Sequence, residues 1–150
     1  MLAVLPHHMK TSFLTLALVC ISLFSLAADI PKTNDQQNLQ GEWIAESATA
    51  NGVKVEDAAG FQYIFREDKL TISNMIGKEV KYSFKIDASS KPKLLVLQPL
   101  QALTNVTMCS AAYELKGAVL KVVIGNPGTR PTEMSDKDQI LTVLKRKKIK

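Results

Sequence analysis

The groups that would activate a nucleophile or ligate a metal in this chain are two histidines, two cysteines and 14 acidic side chains. The histidines, His7 and His8, are adjacent and close to the N-terminus. A Ser–His or Cys–His nucleophile pair needs a histidine held in a folded body, and so does a His-based zinc site. The chain after residue 8 supplies none. Glu56-Asp57 and Glu67-Asp68 are neighbouring carboxylates. Both pairs fall in turn contexts and read as solvated turn residues, because acid–base work needs burial to tune a pKa. Asp136-x-Asp138 has oxygen ligands of the kind calcium uses, without the surrounding loop pattern of a calcium site. Gly125-Asn126-Pro127-Gly128 is a turn cluster, and no helix follows to make it a phosphate cradle. From these residues we expect no catalytic residue, no metal site and no cofactor, and therefore a non-enzymatic protein.

The chemistry left is binding, and it belongs to the aromatic and aliphatic side chains. From Gly41 onward the apolar residues recur with period two, the signature of strands with one buried face. Val80, Tyr82, Phe84 and Ile86 alternate with Lys81, Ser83 and Lys85; Phe61, Tyr63 and Phe65 form a second such face, and Leu120, Val122 and Ile124 a third. Turn signals punctuate the runs. Asn51-Gly52 suits a type I′ hairpin between 42–49 and 53–55. Arg66-Glu67-Asp68, Asn74 to Gly77, Asp87 to Pro92 and Lys116-Gly117 separate further runs at 61–65, 69–73, 79–86, 93–98, 111–115 and 118–124. Gly125 to Gln139 is the longest polar connection before a last run at 140–145, and Glu56 to Gly60 reads as a helical turn. About eight short strands in sequential hairpins predict an all-β fold, a single up-and-down antiparallel barrel, which also removes exposed sheet edges.

Ahead of the barrel lies a leader. Phe13 to Leu26 is an apolar stretch of 14 residues, preceded by Lys10 and followed by small residues around Ala27-Ala28. That is a positive n-region, an h-region and a small-residue cleavage site, and the apolar run is short of the ~20 residues that span a bilayer. The expected division is a signal peptide at 1–27, with translation starting at Met1 or Met9, then a flexible segment at 28–38. The barrel follows at 39–147 and a basic tail at 148–150. The protein is then exported, to a periplasmic or extracellular location, with no stable membrane insertion after leader cleavage. Cys20 sits in a poor lipobox because Val19 is not small, and an uncleaved anchor is the remaining alternative. Removing the leader leaves Cys109 alone, which excludes an internal disulfide; it reads as a small buried hydrophobe or a thiol for intermolecular pairing. Asn105-Val106-Thr107 matches a glycosylation sequon.

The formal charge of +5 belongs to the ends. Setting aside Lys10 and the five cations of Lys145–Lys150 leaves 13 basic residues against 14 acidic ones. The aromatics do not interleave with a basic stripe, so no nucleic acid partner is expected.

Leu39-Gln40-Gly41-Glu42-Trp43, Lys69-Leu70-Thr71-Ile72, Tyr113-Glu114-Leu115-Lys116-Gly117, Arg130-Pro131-Thr132-Glu133 and Leu144-Lys145-Arg146-Lys147 occur in an order and spacing with a precedent. Together they resemble the small exported lipocalin-like domain abundant in planctomycete bacteria, over about 39–147. That family is largely uncharacterised, and its members often carry Phe at the place of Met134 and Cys near Val123. The resemblance implies a lipocalin-like barrel and no catalytic residues. It also implies that the Trp of Gly41-x-Trp43 packs at the closed end beneath an arginine. Arg146, in register with Ile140, Thr142 and Leu144 on the last strand, is the expected partner, with Arg130 as its rival; Gly41, Trp43, Arg130 and Arg146 are thus the barrel-closure residues.

The expected function is a binding module that takes a small apolar molecule in the barrel. Tyr63, Phe65, Tyr82, Phe84 and Tyr113 are its candidate ligand-binding residues. The alternative is a structural or protein-interaction module with a side-chain-filled barrel. The side chains expected to face inward include seven aromatic ones, Trp43, Phe61, Tyr63, Phe65, Tyr82, Phe84 and Tyr113, which favours a largely filled interior.

Overall fold

The computed structural model describes residues 34–101 and 108–148. The expectations for the leader, for His7, His8 and Cys20, for the Asn105-Val106-Thr107 sequon and for Lys150 lie outside the described residues.

A short helix, α1 (Asn34–Leu39), leads into nine strands: β1 (Gly41–Ala50), β2 (Val53–Lys54), β3 (Gln62–Arg66), β4 (Lys69–Ser73), β5 (Glu79–Asp87), β6 (Lys93–Pro99), β7 (Cys109–Lys116), β8 (Val119–Ile124) and β9 (Ile140–Arg146). From β3 to β9 each strand pairs antiparallel with the next, β3 pairs with β1, and β9 returns to β1. Eight strands close a meander barrel of the lipocalin-like kind, and β2 is a hairpin arm on the far end of β1. The hairpin turn has Asn51 at φ 51° and Gly52 at φ 75°, the pair of positive values a type I′ turn requires. A 3₁₀ turn occupies Glu56–Ala58.

Alternation fixes which way each strand faces, and two departures from it matter. On β1 the register shifts between Ala45 and Ser47. This β-bulge changes the phase, so that Trp43, Ala45 and then Ala48 are the buried positions. On β6 the run Leu94-Leu95-Val96-Leu97 does not alternate because both faces are covered. Leu95 and Leu97 join the barrel interior, while Leu94 packs outside with Ala112, Val123, Met134 and Leu141. Met134 comes from the β8–β9 connection, which lies across that outer face.

The hairpins put the two barrel ends in sharp contrast. The β3–β4, β5–β6 and β7–β8 turns share one end with α1; the β1–β2 arm and the β4–β5, β6–β7 and β8–β9 connections share the other. Of the segment 28–38 expected to be flexible, 28–33 lies outside the described residues, and the remainder is corrected here: Asn34–Leu39 is helical. A helix of six residues has too few turns to be stable alone, so tertiary contacts hold it. Leu39 is fully buried in the core, and Asp35 reaches strand side chains across the barrel floor.

Candidate functional site: the open mouth of the barrel

The closed end is built as a plug. The Trp43 indole is fully buried, and its Nε1–H donates to the Leu39 carbonyl at 2.8 Å. The Arg146 guanidinium lies 4.2 Å from the centre of the Trp43 ring and donates to the carbonyls of Gln40, at 2.6 Å, and Asn38. Trp43 and Arg146 face each other in the β1–β9 register, so the pairing of first and last strands brings them together. Gly41 is required where it stands: its φ is +115°, and a Cβ there would come within 3.2 Å of Arg146 Nη1. At the other side of the floor the Asp35 carboxylate accepts from Lys93 Nζ at 2.6 Å and from the Tyr113 hydroxyl at 2.8 Å. The Lys93 ammonium holds the Asp35 carboxyl below its ordinary value, while burial and then Asp35 itself push the Tyr113 phenol up.

Arg130 is not part of this plug. It donates to Asp87 at 2.5 Å and to Ser90 at 2.8 Å, and so pins the β8–β9 connection to the β5–β6 loop. A second staple holds the far end of that connection: Asp136 accepts from the Gly52 amide at 2.9 Å, and Asn51 Oδ1 accepts from the Asp138 amide at 2.9 Å.

Above the plug the interior is packed. The rings of Phe65 and Phe84 meet edge to face with centroids 5.4 Å apart, and Leu70, Leu97 and Leu144 join them in the buried core. Higher still, the packing stops. A cavity of about 680 Å³ opens at the mouth. Phe61, Ile72, Val80, Ile124 and Ile140 give it apolar walls; Tyr63, Tyr82 and Thr142 bring hydroxyls; and Asn51, Asn126, Asp138 and Gln139 form a polar rim. The mouth therefore coexists with a filled lower half, and small side chains make the room. Ala50 and Ala58 line the cavity, and Ala45, Ala48 and Ala111 are buried in the barrel wall.

Of the five candidate ligand-binding residues, Tyr63 and Tyr82 line the cavity. Phe65 and Phe84 lie in the packed layer, and Tyr113 is tied to Asp35 at the closed end, so these three do not reach the mouth. The Tyr63 phenol is pushed up to about 12 by burial, with the Thr142 hydroxyl beside it as hydrogen-bond neighbour. Burial also raises the Tyr82 phenol and the Cys109 thiol. Cys109 is a buried free thiol within the core cluster.

Sequence reasoning missed Thr142, Ala50 and the rim residues. Thr142 is in phase with Ile140 and Leu144, so period two already placed it inward; the Ala50 position was hidden by the β1 bulge. The rim amides come from loops, where no periodicity points inward.

A second hollow of about 670 Å³ lies outside the closed end, lined by Ile64, Glu42 and the cations Arg66, Arg146, Lys147 and Lys148. Its Arg146 is already spent on Trp43 and two carbonyls, and Lys147 is paired with Glu42 at 2.7 Å. Among the described residues no group of three or more His, Cys, Asp or Glu side chains converges as metal ligands would. No family model, curated protein or solved structure matches the chain.

Proposed function

We propose that this is an exported, non-enzymatic binding domain that holds one small, uncharged and mostly apolar molecule in the open mouth of the barrel. The cavity of about 680 Å³ carries the reading. Its volume is in the range of small-molecule sites, roughly 300–1,000 Å³, and its composition has their character of apolar walls with a few convergent polar groups. The lining contains no cation, and its one carboxylate, Asp138, is at the rim. An anionic ligand would enter without a counter-charge, which is costly in an apolar site. A hydroxyl, carbonyl or amide on the ligand finds partners in Tyr63, Tyr82 and Thr142. Support for export is the leader-like run at 13–26, and support for membership of the small exported lipocalin-like domains is the order of the motifs around Trp43, Tyr113 and Arg146.

Native mass spectrometry of the protein purified from its own host tests the reading. The expected spectrum shows one small neutral adduct per chain, lost in Ala50→Trp, which fills the mouth while leaving the plug untouched. A folded protein that carries no adduct in any preparation contradicts the proposal.

A further inference from the structure

Among the described residues, the large apolar side chains that stand exposed are Val53, Met75, Ile76, Leu100, Met108 and Ile140. All six belong to the mouth end of the barrel, and none is among the described residues of the closed end. Val53 stands opposite Ala50 in the hairpin arm, and Ala50 lines the cavity. Met75 lies against Gly60, next to the turn that brings Ala58 to the mouth. Leu100 follows β6, its amide bonded to the Lys81 carbonyl beside cavity-lining Tyr82. Met108 begins the return into β7, and Ile140 belongs to the rim and the cavity wall at once. Met75 and Ile76 are each 76% exposed, and with the four others they gather the exposed large apolar side chains at one end of the barrel.

The geometry points to a collar by which the barrel docks mouth-first onto a lipid surface and exchanges its apolar ligand with it. This rests on the reading of the mouth as the binding site, and adds where the ligand comes from. Three observations favour a lipid surface over a protein. First, the apolar residues sit on separate connections around an opening, not in one contiguous patch. A protein interface needs roughly 800 Å² per partner of continuous, shape-matched contact, whereas lipid closes around scattered tips. Second, the collar is continuous with the cavity through Ile140, so a surface pressed against it shields a ligand from water along the whole route. Third, the walls below are wet, as the outward Lys81, Ser83 and Lys85 of β5 show, so immersion stops at the rim. Of the cations at this end, Lys54 and Lys81 are paired with Glu56 and Glu79, and Lys78 and Lys137 stand among the carboxylates Asp57, Asp136 and Asp138 of the same end. This end carries both signs of charge and no cluster of cations, so the apolar side chains supply the attraction and anionic headgroups are not required.

Flotation with phosphatidylcholine vesicles tests the collar, alongside Nile red titration without vesicles to read the cavity. The intact domain should float with neutral vesicles, with little dependence on salt. Ile76→Ser together with Met108→Ser should weaken that partitioning roughly tenfold or more, since each replaces a large apolar side chain by a small polar one. Nile red binding should be unchanged, because neither residue lines the cavity. As an independent readout, tryptophan emission of Ile76→Trp should shift to the blue with vesicles, and that of Lys116→Trp at the closed end should not. A folded domain that binds Nile red but never floats overturns the collar and leaves the cavity reading standing. Flotation without Nile red binding does the reverse. Binding only to anionic vesicles and lost in salt would assign the contact to cations, Lys78 and Lys137 at the mouth or Arg66, Lys147 and Lys148 at the closed end, and overturn the proposal. So would a concentration-dependent dimer abolished by the double variant, which would make the occupant a second copy of the chain.

Discussion

Arg146 does two things with one guanidinium: its face covers the Trp43 ring and its edge donates to the carbonyls of Asn38 and Gln40. A contact of this kind is worth about 0.5–2 kcal/mol as cation–π attraction, depending on burial. We therefore expect Arg146→Ala and Trp43→Ala to be non-additive in a double-mutant cycle read by denaturant unfolding, with a coupling in that range. Additivity within about 0.3 kcal/mol would show that the ring and the guanidinium do not support one another. The tyrosines give a second residue-scale prediction, on pH. Burial raises the Tyr63 phenol from 10.0 to about 12 and raises Tyr113 in the same direction. The neutral form is the one the fold favours, so this stabilisation is complete below pH 10. It is lost as pH rises through the window from 10.0 to about 12. Tyrosinate absorbance should show the phenols of Tyr63 and Tyr113 ionising only with alkaline unfolding. All three tyrosines titrating together near their ordinary value in a folded protein would contradict the burial described. At this scale the sequence was informative: Trp43, Gly41 and Arg146 were legible from a motif plus strand adjacency, and the inward phase of Tyr63 and Tyr82 from alternation. Tyr113 was misassigned to the ligand because period two tells the side of the sheet and not the height along the barrel. Its height is set by its register with Lys93 at the start of β6.

Among the elements, the least legible were those whose order comes from tertiary contacts. Helix α1 has no apolar periodicity beyond Leu39, and its stability comes from burying that one side chain and from the Asp35 bonds to Lys93 and Tyr113. Leu39→Ala should cost about 2–5 kcal/mol in unfolding free energy, as a buried leucine does. Asp35 acts in the opposite pH direction to the tyrosines. Its carboxyl is held below its ordinary value of 3.8, so its contribution is present above that pH and is lost as pH falls through the depressed folded value. Amide exchange in α1 should accelerate under acid before the strands open, and Asp35→Asn should remove that pH dependence. The β8–β9 connection read as the longest polar loop, yet Met134 buries an outer patch and Arg130 and Asp136 staple it at two places. That is also why the β6 run lacks alternation, a pattern that on its own fits a buried strand of any architecture. Arg130→Ala should raise exchange in the connection's early half with little change in global stability. Its salt bridge is exposed, and such pairs are worth under about 1 kcal/mol.

On the scale of the whole molecule, one meander produces two unlike ends. Large rings fill the half nearest α1, where Trp43, Phe65, Phe84 and Tyr113 are all buried. In the other half Ala50 of β1 and Ala58 line the wall, and the cavity opens beside them. Counting inward aromatics predicts a filled barrel because it weighs volume without position; the bulge on β1 and the depth of each ring decide where the space remains. An eight-stranded barrel is wide enough to be filled by side chains or to hold one small ligand. This one does the first below and the second above. The most direct measurement of that division is an equilibrium titration of the folded domain with Nile red, repeated with Ala50→Trp and with Phe84→Leu. Saturable binding of one dye per chain is predicted, abolished by the tryptophan at the mouth and little altered by the change in the packed layer. Absence of saturable binding to folded protein, or binding indifferent to Ala50→Trp, would contradict a ligand site in the mouth.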